Sequence, residues 1–251
     1  MNHPTLENWW AVQAMIASYN HVYQVVYKTA YETRGIIGVS IYGNAPIGPF
    51  QLEFLALTSN PKEIVEAIRA YPIDGQNYVL DIFHEKPSAR SVKAEYILEG
   101  YEFVRTGSIL GLKLPVRIRS NLSGIHKAVK IQEAQQANQT LLTENEHLPL
   151  RGLNGKHIHN FYAEVDGQTV GWAQLVTIYP DVGYLNQVYV MNAFRNRGIG
   201  RALVERAHLH CMRRKLGHMV LIPSDMAMQM YRRLGYRPLA YFTAFRPRDK
   251  E

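Results

Sequence analysis

Six residues, Arg195-Asn196-Arg197-Gly198-Ile199-Gly200, constrain this chain more than any others. They follow an apolar, strand-like run, Gly183–Val190 (GYLNQVYV), and open an amphipathic helix. The helix stripe is Ile199, Leu203, Ala207 and Cys211, widened by Ala202, Leu209, Met212 and Leu216, and Gly217 stops it. A glycine-bearing turn at a helix start offers unpaired backbone N–H groups and the positive end of the helix dipole to an anion. Gly198 and Gly200 let a phosphate approach where a Cβ would intrude, and Arg195, Arg197 and Arg201 surround the turn with charge. The spacing fits neither the Walker loop nor the dinucleotide fingerprint, and no acidic residue suits a ribose about 20 residues on.

The elements around this loop predict an α/β fold with a mixed sheet and flanking helices. His159–Val165 and Thr169–Ile178 read as strands joined by the Asp166-Gly167 turn. Met219–Ile222 is a short buried strand. Ser224 or Asp225 caps a helix whose apolar face is Ala227, Met230, Tyr231 and Leu234. Gly235 ends that helix, and Tyr236–Phe245 is a last strand. The N-terminal half shows a fainter copy: strand Phe50–Leu57, helix Pro61–Tyr71, strand Tyr78–Phe83, helix Ser88–Glu99 and strand Tyr101–Leu114. Tyr96-Ile-Leu-Glu-Gly100-Tyr101 matches Tyr231-Arg-Arg-Leu-Gly235-Tyr236, which points to two related halves in tandem. Thr58-Ser59-Asn60-Pro61 stands where the first half would need its glycine loop. Two domains are expected, 1–118 and 119–251. Ile125–Leu142 reads as a polar, Gln-rich helix opening the second, and Thr143–Gly155 as a loop. Leu6–Tyr19 reads as a helix with Trp9 and Trp10 buried.

Charge agrees with an anionic ligand near the loop. Residues 187–251 hold 13 Lys+Arg against 4 Asp+Glu, whereas the whole chain has a net charge of only +7. A single cysteine, Cys211, excludes an internal disulfide framework and a cysteine-rich zinc module. No apolar run approaches the roughly 18 residues of a spanning helix, and no secretory signal is legible, so a cytoplasmic location without membrane attachment is expected.

Two motifs in order resemble the GNAT superfamily of N-acetyltransferases. Arg195-Asn-Arg-Gly198-Ile-Gly200 is similar to the family's acetyl-CoA loop, and Tyr184-Leu-Asn-Gln-Val-Tyr189-Val190-Met-Asn-Ala-Phe194-Arg195 to the strand before it. Ser224-Asp-Met-Ala227-Met-Gln-Met230-Tyr231-Arg-Arg-Leu-Gly235-Tyr236 resembles the family's second region. The likeness covers roughly His159–Pro247. It implies that backbone N–H groups of Arg197, Gly198, Ile199, Gly200 and Arg201 hold the CoA pyrophosphate, beside Arg195. It implies that Val188 and Val190, with Tyr189 between them, lie along the pantetheine arm. It implies that Tyr231 both meets the cofactor and protonates the departing thiolate. An N–H of the strand would stabilise the thioester oxyanion.

Two departures stand out. The strand carries Asn186-Gln187 where many members have a glutamate base; either amide could order the water that removes the amine proton, and Glu164 is a substitute on the neighbouring strand. Ser224 replaces a common asparagine and weakens one cofactor contact. The expected activity is acetyl transfer from acetyl-CoA to a primary amine of a small molecule or protein, by direct attack and without a metal. The alternative is a non-catalytic or regulatory acyl-CoA-binding protein; nucleic-acid binding has no motif behind it. His208, His210 and Cys211 do not share a helix face and are not read as metal ligands. A monomer or homodimer is expected.

Overall fold

The computed structural model describes residues 8–23, 36–41, 51–56, 60–70, 77–87, 90–150, 152–153 and 155–248. The chain forms two compact units: Met1–Leu110 with Pro238–Glu251, and Gly111–Arg237. Each has a mixed sheet flanked by helices, as the sequence predicts.

The first unit holds α1 (Trp9–Tyr23), β1 (Ile36–Ile41), β2 (Leu52–Ala56), α2 (Pro61–Arg69), β3 (Tyr78–His84), α3 (Arg90–Leu98) and most of β4 (Tyr101–Lys113). Strand order is β1-β2-β3-β10-β4, with β10 spanning Arg237–Pro247. β2 and β3 run parallel and α2 connects them, Pro61 fitting its first turn. Ile64, Val65, Ala67 and Ile68 of α2 are buried with Leu52, Phe54, Leu80, Tyr96 and Phe245 in one core. α1 buries Ala11, Val12, Ala14 and Met15, while Trp9 and Trp10 remain half-buried, contrary to expectation. The core side of α1 takes these smaller side chains rather than the two indoles. Leu6, Thr58 and Ser59 of the sequence reading lie outside the described residues. Strand β10, read from the sequence as the end of the C-terminal half, pairs antiparallel with β3 of this unit, Phe245 opposite Leu80.

The second unit has strand order β9-β8-β7-β6-β5. β5 (Ile125–Ala128), β6 (Ile158–Val165), β7 (Gln168–Val176) and β8 (Val182–Val190) are successive antiparallel neighbours. Helix α5 (Ile199–Arg213) then returns the chain to β9 (His218–Leu221), parallel to β8, and α6 (Asp225–Arg233) follows. The segment read as one helix from Ile125 divides: its first four residues pair with β6 as β5, and α4 spans Ile131–Leu141. Ile125 and Ala128 are buried while the two residues between them are half-buried, so packing along β6 prevails over helix propensity there.

Neighbouring residues of β6 show what lies on each sheet face. His159 packs on His210 of α5, with ring centroids 4.2 Å apart. Asn160 turns the other way and bonds the Pro149 carbonyl. The loop carrying Pro149 is tied to α4 by Asn138, whose amide donates to the Leu148 carbonyl and accepts its N–H at 3.0 and 2.7 Å.

Candidate active site

A cleft of about 770 Å³ opens in the second unit between the end of β8, the start of α5 and α6. That volume suits a large organic ligand. Three features of the backbone shape it.

The first is the helix start. Gly198 caps α5 in the left-handed region at φ 82°, and Ala202 N–H closes the first turn on the Gly198 carbonyl at 3.0 Å. The N–H groups of the first turn have no intrahelical acceptor and sit at the positive end of the dipole. A Cβ at Gly198 would meet nothing, so its backbone angle is what demands glycine. At Gly200 a Cβ would lie 3.7 Å from Val190 and 3.8 Å from Met230, ordinary contacts. Both glycines line the cleft, so a larger side chain at Gly200 would project into ligand space.

The second feature is an open strand edge. β8 pairs with β9 only from Val182 to Tyr184, opposite His218 to Val220. Beyond Tyr184 it continues to Val190 and, among the described residues, only β7 pairs with it. Asn186, Gln187, Val188, Tyr189 and Val190 all line the cleft along this edge. An extended chain bearing amides can add to such an edge as another strand does.

The third is a bulge. Gln174 of β7 faces Gln187 of β8, but Leu175 faces Leu185, leaving Asn186 as the extra residue. Bulges re-aim side chains. Here the bulge puts Asn186 within reach of Gln174, to whose Oε1 its Nδ2 donates at 2.9 Å.

The side chains complete the wall. Tyr231 of α6 is 5% exposed and lines the cleft. Burial raises its phenol well above the ordinary value, so it stays protonated at neutral pH. Ala227 and Met230, read from the sequence as core, face the cleft instead, and Tyr231 is the one fully buried residue of α6. An apolar stripe at helical spacing looks the same whether it meets a core or a ligand. Ser224 is the N-cap residue of α6 and lines the cleft, but its hydroxyl makes no capping bond.

The loop arginines are less available than their count suggests. Arg195 donates from Nε to the Val190 carbonyl at 3.0 Å, tying the loop to the strand end. Arg201 pairs with buried Glu205 at 3.2 Å. Arg197 is absent from the cleft lining and lies over the Phe194 ring at 5.2 Å. An anion placed at this turn would therefore meet backbone N–H groups more than guanidinium groups. Glu205 also accepts the Ser120 and Arg119 N–H groups at 2.6 and 3.1 Å. Burial alone would raise its carboxyl, but these bonds outweigh it and hold it below the ordinary range.

Sequence reasoning missed three contributors. Glu146, from the loop after α4, is the carboxylate in the cleft lining, whereas Glu164 is exposed and not part of it. Trp172 is 2% exposed and its indole N–H has no partner among the described residues, leaving a spare donor in the wall. Glu144 accepts the Tyr189 hydroxyl and the Asn192 N–H, pinning the α4 loop to the end of β8. That bond and, above all, burial push the Tyr189 phenol up to about 12. None of the three lies near the motifs in sequence, so only the fold brings them in.

The histidines separate as expected: His208 bonds the Tyr236 hydroxyl at 2.9 Å while His210 packs tilted against His159. Among the described residues no group of three or more His, Cys, Asp or Glu could hold a metal ion. No described helix is long and apolar enough to cross a membrane.

The cleft lies in the stretch that carries both acetyltransferase-like motifs, residues 184–200 and 224–236. Residues 156–238 match the family model described as an acetyltransferase (GNAT) domain. Solved structures share the fold over nearly the whole chain. A GCN5-related N-acetyltransferase from Kribbella flavida is 18% identical, with 95% of this chain and 94% of that one covered and a TM-score of 0.65. Its counterpart from Sphaerobacter thermophilus is 14% identical over 98% and 94%, with a TM-score of 0.53. A tandem GNAT protein from the clavulanic acid biosynthesis pathway is 12% identical over 76% and 69%, also with a TM-score of 0.53. No curated protein matches the chain.

Proposed function

We propose that the protein transfers an acetyl group from acetyl-CoA to a primary amine of a small molecule or protein. The observation that carries this reading is the meeting, in one cleft, of the α5 start with the unpaired edge of β8. The pyrophosphate would sit on the N–H groups of Arg197, Gly198, Ile199, Gly200 and Arg201, with Arg195 steadying the loop. The pantetheine arm would run along Val188, Tyr189 and Val190, and Ser224 would border the cofactor across the cleft. The spare Trp172 indole N–H suits a carbonyl of the arm or the thioester.

In the reaction the amine nitrogen attacks the thioester carbonyl and forms the C–N bond. A strand N–H stabilises the oxyanion. The C–S bond then breaks, and the thiolate takes the proton of Tyr231, which solvent restores. The amine proton leaves to a water ordered by Asn186 or Gln187, since neither amide accepts a proton at neutral pH. We also propose that the N-terminal half, 1–118, is a degenerate GNAT-like domain without a phosphate loop, preceding the acetyl-CoA-binding domain at 119–251, of which Pro238–Glu251 belongs to the first compact unit.

The amide pair on β8 favours one other reading, a protein that holds acyl-CoA without turnover. Thiol release from acetyl-CoA across a panel of primary amines separates the two. Release with at least one amine, together with thermal stabilisation by acetyl-CoA, is the expected result. Stabilisation without release would leave the holder, and neither would sink both.

A further inference from the structure

Three side-chain amides on adjacent strands form a relay that ends at the cleft. Asn186 Nδ2 donates to Gln174 Oε1 at 2.9 Å, and Gln174 Nε2 donates to Asn160 Oδ1 at 3.1 Å. Asn160 Nδ2 then donates to the Pro149 carbonyl at 2.7 Å. Asn160 and Gln174 are 0% and 1% exposed, so water cannot substitute for a lost partner. Asn160 and Gln174 are register partners across β6 and β7, and the bulge brings Asn186 onto the same row.

One backbone atom fixes the direction of the whole chain. A main-chain carbonyl only accepts, so Asn160 must present its NH2 to Pro149 and its oxygen to Gln174. Gln174 must then present its NH2 to Asn160 and its oxygen to Asn186. Asn186 in turn must point its NH2 inward. Flipping any one amide would set oxygen against oxygen or N–H against N–H inside the sheet. Proline contributes a carbonyl whose position does not depend on a ladder bond of its own, and Asn138 holds the neighbouring Leu148 from both sides.

We propose that this relay orients the oxygen of Asn186 toward the cleft to accept an N–H of the acceptor amine, with Asn160 and Gln174 as positioning residues. The carboxamide is planar, so an inward NH2 leaves Oδ1 on the cleft side, where Asn186 forms part of the lining. Each N–H donated down the relay polarises the next amide and strengthens the oxygen at its head as an acceptor. That oxygen has two lone pairs, so it can take a substrate N–H beside another contact. A primary amine suits it: one N–H engages Asn186 while the nitrogen lone pair stays directed at the thioester. Gln187, exposed and outside the relay, has no such restraint.

The role of the relay rests on the acetyl-transfer reading, but its direction does not, and the experiment separates them. Side-chain amide signals are followed by 15N–1H NMR in the CoA-saturated protein during titration with n-butylamine. The Asn186 pair is expected to shift in the wild type, and the shift to be lost in Gln174→Met, which keeps the volume and removes both bonds. With acetyl-CoA, Gln174→Met should raise the amine KM about tenfold and leave the acetyl-CoA KM within about twofold. An Asn186 pair that does not move in the wild type overturns the proposal, and the wild-type titration decides even if the variant does not fold. An undiminished shift in a folded Gln174→Met overturns it too. Normal thiol release with silent Asn186 signals fells the relay alone. Responsive signals without thiol release for any amine fell the transfer reading alone.

Discussion

Tyr231 meets Tyr236 edge to face, with ring centroids 5.5 Å apart and planes at 75°. In the first unit Tyr96 meets Tyr101 in the same way, at 6.1 Å and 86°. Gly235 and Gly100, just before the second tyrosine of each pair, have φ of 96° and 88°. The two joints thus share geometry as well as letters. They differ in what the first tyrosine faces: Tyr96 stacks on Phe245 in a closed core, whereas Tyr231 borders the cleft. Tyr231→Phe keeps the ring contact and removes the proton. Turnover should fall by about 10²-fold or more while acetyl-CoA affinity and melting temperature hold. Because burial raises the phenol, wild-type turnover should show no loss from its ionisation until above the ordinary phenol range. Equal turnover in the variant would remove Tyr231 from the acid role.

Gly198 and Gly200 should fail differently. Gly198→Ala forces a Cβ into φ 82° and should cost about 1 kcal/mol of stability, read by urea unfolding of the free protein. Gly200 is helical and its Cβ position is sterically quiet, so Gly200→Ala should stabilise the free protein by up to about 1 kcal/mol. Gly200→Leu should instead cost at least about tenfold in acetyl-CoA affinity by calorimetry, without unfolding the protein. If Gly200→Leu bound acetyl-CoA normally, the pyrophosphate would not lie on this turn.

The loop, the strand before it and the helix after it were legible because local chemistry specifies each: glycine where φ is positive, an apolar strand-like run, and a 3.6-residue stripe. The stripe of α6 was legible as a stripe but not as a wall, since Met230 beside a ligand and Met230 in a core have the same periodicity. Glu205 shows a second limit. A glutamate at the i+4 position from Arg201 reads as a surface ion pair, and nothing nearby announces that it caps the backbone at Ser120. β5 was missed because four residues carry too little pattern to outweigh the helix signal that follows. The relay was invisible for a different reason: its three amides come from three strands.

Glu205 should govern acid stability of the second unit. Its carboxyl is held below the ordinary 4.5, so its stabilising contribution is complete above that value and is lost as pH falls through the lower, folded-state value. Glu205→Ala strips the buried acceptor from Ser120, Arg119 and Arg201 together. The loss should be about 2–4 kcal/mol at pH 7, measured by urea unfolding. The gap between variant and wild type should narrow below pH 4. A constant gap from pH 7 to pH 3 would mean that the charge is not what holds the Ser120 segment.

Asp81 gives the opposite sign in the first unit. It is 4% exposed on β3, its Oδ1 lacks a partner among the described residues, and burial with the Glu53 carboxylate beside it raises its carboxyl well above 3.8. The folded chain thus keeps a proton that the unfolded chain releases. Its contribution is greatest below the unfolded value and declines as pH rises toward the folded one. Asp81→Asn supplies the neutral form at every pH. The variant should melt roughly 2–4 °C above wild type at pH 7.5 by circular dichroism. The difference should shrink toward pH 4, where the wild-type carboxyl is neutral in the folded state and costs nothing to protonate. A variant less stable than wild type at pH 7.5 would show instead that the Asp81 charge is compensated, with Arg105, the opposing cation, as its partner.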